Sequence, residues 1–172
     1  MLSRAVRIFS IGGIAIRLDP SWLVIAALVI WTLAGSYFPE TFPEASPQLH
    51  MLMAVGGMLG LFASLLAHEI AHGLVAIRLG LPVRSITLFL FGGLAELSAE
   101  PASPGDELRI ALAGPLASLA LAAGFWMLSQ TAGRALMPPP MLQVLSYLAL
   151  VNLVLALFNL LPAFPMDGAK IR

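Results

Sequence analysis

Cysteine is absent from the 172 residues, which excludes disulfides, thiolate metal ligands and a cysteine nucleophile together. Charge is scarce as well. Only 10% of the residues are Asp, Glu, Lys or Arg and they balance to a formal charge of zero, so the chain lacks the basic footprint that grips nucleic acid. No internal repeat or low-complexity tract is visible either. In their place stands hydrocarbon: 59% hydrophobic residues and a mean hydropathy of +0.93, against roughly 45–50% apolar and ~25% charged in soluble domains. An integral membrane protein follows, long enough for one bundle over residues 1–172 rather than two domains.

About 20 apolar residues cross the hydrocarbon core, and four stretches qualify, near residues 21–37, 51–79, 110–128 and 141–161. Before the first span, Ile11, Ile14, Ile16 and Leu18 alternate around Gly12-Gly13, with Arg4, Arg7 and Arg17 nearby. That pattern predicts an interfacial hairpin over residues 1–20. It lacks the unbroken apolar core and small-residue cleavage site of a secretory signal, so it is expected to be retained. Residues 83–98 read as two more strands around a Gly92-Gly93 turn. The predicted fold class is therefore an α-helical membrane protein of about four transmembrane helices with a small cytoplasmic-side β-hairpin or sheet.

Apart from Arg134, the basic residues lie in the N-terminal segment, between Arg78 and Arg109, or at Lys170 and Arg172. Positive charge accumulates on cytoplasmic loops, so the N-terminus, the middle loop and the C-terminus are expected there, with the chain in a plasma (inner) membrane. The acidic and proline-containing loop of residues 38–50 falls on the outside.

Against this apolar background the pentad His68-Glu69-Ile70-Ala71-His72 stands out. Two imidazoles four apart share one side of a helix and can hold a metal, while the carboxylate between them can take a proton from an activated water. Ionisable groups in hydrocarbon are costly and are read first as functional. Upstream, Gly56, Gly60 and Ser64 continue the same four-residue spacing, a ridge of small residues that lets a neighbouring backbone approach. Ala113, Gly114, Ser118 and Ala122 supply a mate in the third span, and packing without chemistry is the expectation for every small residue in both helices.

Catalytic zinc keeps three protein ligands and leaves a position for water, so the histidine pair needs another donor. His50 reads as a solvated loop histidine one span away. Glu40 and Glu44 share its loop, and Glu96, Glu100, Asp106 and Glu107 fall in the water-accessible middle loop. Asp167 differs. Pro162 and Pro165 interrupt the fourth helix before it, and irregular backbone at membrane depth is tolerated where it lines a cavity. A proline-terminated helix with an interfacial aspartate is the competing account.

The pentad, followed far downstream by Asn159-Leu160-Leu161-Pro162-Ala163-Phe164-Pro165-Met166-Asp167-Gly168, resembles the site-2 protease family of intramembrane zinc metalloproteases. The Phe91-Gly92-Gly93 turn and the Ala113-Gly114-Pro115 start of the third span extend the likeness over nearly the whole chain. What the resemblance implies is Zn2+ bound by His68, His72 and Asp167, Glu69 as catalytic base, and a transmembrane protein substrate cut within or near its membrane segment. Asn159 is expected to support the substrate or the oxyanion and Asn152 to pack. An open strand edge at Gly92 and Gly93 could hold an unwound substrate, with a simple cap on the bundle as the alternative. The family follows its Asp-Gly with another Gly and a basic residue, then with further membrane helices. Here Ala169 and Lys170 follow and the sequence stops at Arg172, so it reads as a truncated catalytic core. The competing functions are a membrane metal transporter or channel and an inactive scaffold that binds helices. Glu69 weighs against transport, since a binding path needs no base between two ligands.

Overall fold

The computed structural model describes residues 5–11, 13–89, 92–97, 101–131 and 136–160. Four helices carry the length and hydropathy needed to cross a bilayer: α1 (Trp22–Thr41), α2 (Pro47–Arg78), α3 (Pro104–Gln130) and α4 (Pro139–Leu160). Leu23, Val24, Trp31, Leu59, Trp126 and Phe158 are among the large apolar side chains left exposed. Such a surface is stable against lipid and not against water, and the protein is an integral membrane protein.

Three helices, α2, α3 and α4, start earlier than their apolar runs. Ser46 Oγ accepts from Leu49 N–H at 3.3 Å ahead of Pro47, and Ser103 Oγ accepts from Asp106 N–H at 3.2 Å ahead of Pro104. A serine cap followed by proline is a strong start signal that hydropathy ignores. Ala113-Gly114-Pro115 therefore lies inside α3 rather than at its start. His50 is corrected for the same reason. It sits in the first turns of α2, buried, with Nε2 donating to the Phe42 carbonyl at 2.9 Å. Within α1, Leu33–Tyr37 forms a π-helical segment that the apolar pattern does not signal.

One four-stranded sheet closes an end of the bundle in the order β1-β2-β3-β4, from β1 (Val6–Ile11), β2 (Ile14–Leu18), β3 (Val83–Phe89) and β4 (Gly92–Leu97). Gly13, at φ +88, turns the first hairpin. Pairing of β2 with β3 is parallel, which joins hairpins that the sequence keeps far apart. Gly92 and Gly93 are not the turn of the second hairpin: they are strand residues opposite Phe89 and Leu88. Ile14, Ile16, Ile86 and Leu88 bury one face of the sheet against Trp22, Leu66 and Ala76. The sheet thus meets the start of α1, the end of α2 and the start of α3, beside the histidine pair. At the opposite end Leu33, Phe38, Met53, Tyr147 and Leu148 form a second core, and α4 packs on α2 and α3.

Candidate metal centre

On α2, His68 and His72 are one turn apart and point to the same spot. Their Nε2 atoms are 3.1 Å from each other, and both rings are buried at 1% and 6% exposure. Two zinc–nitrogen bonds of 2.0–2.1 Å at a tetrahedral angle span about 3.3 Å, so the spacing suits one shared cation. The opposite ring atoms face α3. His72 Nδ1–H donates to the Ile110 carbonyl at 2.7 Å, and His68 Nδ1 meets Ser118 Oγ at 2.8 Å. A carbonyl can only accept, which puts the His72 proton on Nδ1 and the lone pair on Nε2. With the same tautomer at His68, two lone pairs face each other, an arrangement that a cation between them stabilises. Outer partners of this kind orient metal-binding histidines.

Between those two contacts lies Gly114. A Cβ built on it would meet Nε2 of both rings. Ile110, Gly114 and Ser118 are spaced by four, so one stripe of α3 presents a carbonyl, a bare backbone and a hydroxyl to the pair. The sequence assigns Gly114 and Ser118 to packing and does not single out Ile110. The four-residue register against His68 and His72 is the available signal. A backbone carbonyl leaves no mark in a sequence.

Glu69 is buried at 4% exposure. A Cβ on Gly93 would fall on its Cγ, Cδ and Oε1, so only a glycine lets β4 come this close. Among the described residues β4 is the outer strand of the sheet, paired to β3 on one side. The expected strand edge thus lies beside the expected base.

Asn159, near the end of α4, donates through Nδ2 to the Leu155 carbonyl of its own helix at 2.9 Å. Asn152 is wholly buried and ties α4 to α2, Nδ2 donating to Ser64 Oγ at 2.9 Å and to the Leu148 carbonyl at 2.8 Å. Of the small-residue ridge, Gly60 and Ser64 face α4, whereas Gly56 has open space around it and its neighbour Gly57 packs on Leu33 and Tyr147. Helical drift of the four-residue row explains the exchange. Asp167 lies outside the described residues, as does the rest of its motif after Leu160. Among the described residues no group of three His, Asp or Glu gathers at one point.

The sequence profile of Peptidase family M50 matches residues 56–138, spanning the histidine pair, the second hairpin and α3. Rip3 of Mycobacterium tuberculosis is 43% identical over 167 residues, covering 97% of this chain and 42% of that protein. Zinc metalloprotease MJ0392 of Methanocaldococcus jannaschii is 34% identical over 172 residues, with coverages of 99% and 45%. The chain spans less than half the length of these curated relatives. Among solved structures, the site-2 protease from Methanocaldococcus jannaschii superposes with a TM-score of 0.63 at 32% identity, covering 97% of this chain and 69% of that one.

Proposed function

This chain belongs to the site-2 protease family, peptidase family M50, and on that premise we propose that it is the catalytic core of a zinc metalloendopeptidase hydrolysing peptide bonds within or near transmembrane segments of membrane proteins. The observation that carries the reading is the pair of imidazoles converging at 3.1 Å with both Nδ1 atoms held by α3. His68 and His72 supply two ligands, and Asp167 supplies the third. Zinc bound to these residues would supply Lewis-acid chemistry, polarising the scissile carbonyl and lowering the pKa of the attacking water toward neutrality.

The protein's own groups do the rest. Glu69 takes the proton of the attacking water and returns it to the leaving amine. Burial suits it to this task, because a carboxylate shielded from bulk water keeps the proton within the site between the two transfers. Gly93 brings the backbone of β4 beside Glu69, so an unwound substrate pairing along β4 at Gly92 and Gly93 would lie extended across the reacting groups. Asn159 supports the substrate backbone or the developing oxyanion. The active-site end and the N-terminus face the cytoplasm, in keeping with the basic residues Arg7, Arg17, Arg78, Arg84 and Arg109 at the sheet end and the positive-inside tendency, and the plasma membrane is the site of action.

Glu69→Gln tests the assignment, since it keeps the size of the side chain and removes the base. Reconstituted protein should retain its zinc by elemental analysis while cleavage of a transmembrane peptide falls at least about a hundredfold. The unsubstituted chain with a chelator provides the second arm and should also lose cleavage. Full activity in the variant would remove Glu69 from its role; zinc uptake by the unsubstituted chain without cleavage would point to transport.

A further inference from the structure

The β1–β2 hairpin is two-faced in a way that its burial alone does not disclose. In register, Val6, Phe9 and Ile11 lie opposite Leu18, Ile16 and Ile14. Paired residues share a face, so these three continue the face that β2 and β3 bury against α1 and α2. Yet β1 runs past the helices. Ile16 and Ile14 are 0% and 4% exposed, while Val6, Phe9 and Ile11 are 64%, 38% and 46% exposed. The other face carries Arg7 opposite Arg17 and Ser10 opposite Ala15. Arg7 Nη2 donates to Ser10 Oγ at 3.1 Å, as expected for side chains on one face.

Two features of this hairpin are unfavourable in water. An outer strand with bare valine, isoleucine and phenylalanine invites aggregation, and like charges directly opposite each other on a sheet repel. Among the described residues no carboxylate lies within ion-pair distance of Arg7 or Arg17. Asp19, Pro20 and Ser21 join β2 directly to the membrane-spanning α1, which holds the hairpin at the bilayer boundary. There both features turn favourable. The apolar face meets acyl chains, and the guanidinium pair meets phosphate, for which its planar forks are suited.

We propose that the β1–β2 hairpin is a binding site for anionic phospholipid, with Arg7 and Arg17 on the headgroup phosphate and Val6, Phe9 and Ile11 in the acyl boundary. Basic side chains near an anionic surface contribute enough for two of them to favour anionic over zwitterionic lipid on the order of tenfold.

The chain has no cysteine, so Ile11→Cys carries a single bimane label. The labelled protein is reconstituted in phosphatidylcholine vesicles and titrated with brominated phosphatidylglycerol or brominated phosphatidylcholine as quencher. Both should quench, with phosphatidylglycerol associating about tenfold more strongly at low salt and the preference collapsing in ~1 M salt, where the Debye length is about 3 Å. Arg7→Gln with Arg17→Gln should erase the preference while quenching at saturation and the thermal midpoint in phosphatidylcholine persist; the paired Arg→Lys variant should retain part of it. Four results would overturn the site. They are a label that neither lipid quenches, a preference that survives high salt or the double Gln variant, loss of the preference with millimolar inorganic phosphate present, which would mark a soluble-anion site, and disulfide-linked dimers of the unlabelled Ile11→Cys variant, which would show that β1 pairs with a second copy.

Discussion

Gly114 shows how little space the centre allows. Its missing side chain is the room in which both Nε2 atoms converge, so Gly114→Ala places a methyl group against both ring nitrogens, where the proposed cation would sit. Zinc content by elemental analysis should fall below stoichiometric and cleavage with it, although alanine is otherwise the better helix former by roughly 1 kcal/mol. A variant that keeps both zinc and turnover would refute the cradle. Ser118 acts one bond further out, through His68. Ser118→Ala should weaken metal binding about 10–100-fold, the usual consequence of losing such a partner, as read by competition with a chelator. Ser118→Thr keeps the hydroxyl and should recover much of the loss; equal weakening in both variants would mean that the position matters for packing alone.

Each element is held to its neighbours by different means. The contact of α2 with α4 depends on Gly60, where a Cβ would stand 2.6 Å from Leu148 Cδ1, and on the Asn152 to Ser64 hydrogen bond one turn further along. Small residues and buried amides are the usual cement between helices in lipid, where water supplies no drive to associate. Gly60→Val should therefore push α4 off α2 and cost about 1–3 kcal/mol, the usual penalty of overpacking, visible as a lower thermal midpoint in detergent. The contacts of His68 and His72 with α3 should remain, because Ser118 and Ile110 hold them rather than α4, whereas zinc affinity should fall, since the proposed third ligand Asp167 follows α4 in sequence. Unchanged zinc affinity at a lowered thermal midpoint would count against a third ligand from the segment after α4. The sheet is joined otherwise, through the parallel β2–β3 ladder, which links the first hairpin to the strand beside Glu69 in one sheet.

Taken whole, the molecule is a bundle whose histidine pair sits near the end closed by the sheet. His72 and His68 lie six and ten residues before the end of α2 at Arg78, or about 9 and 15 Å along the axis. Much of this is legible in the sequence. Hydropathy alone marks four spans, since about 20 apolar residues have few uses other than crossing hydrocarbon, and the pentad identifies its own helix because histidines four apart share a face only on a helix. The alternation around Gly12-Gly13 likewise predicts the first hairpin. Caps at Ser46 and Ser103 shift helix starts that an apolar count cannot sense, and His50 moves from loop to core with them. Local regularities such as these are written in short windows of sequence, because period, capping and transfer free energy act between near neighbours. What folding alone decided is the pairing of distant pieces: β2 beside β3, Gly93 against Glu69, and the Ile110, Gly114 and Ser118 stripe against two imidazoles. Those contacts depend on three-dimensional register and on a backbone carbonyl common to every residue, so no residue type announces them.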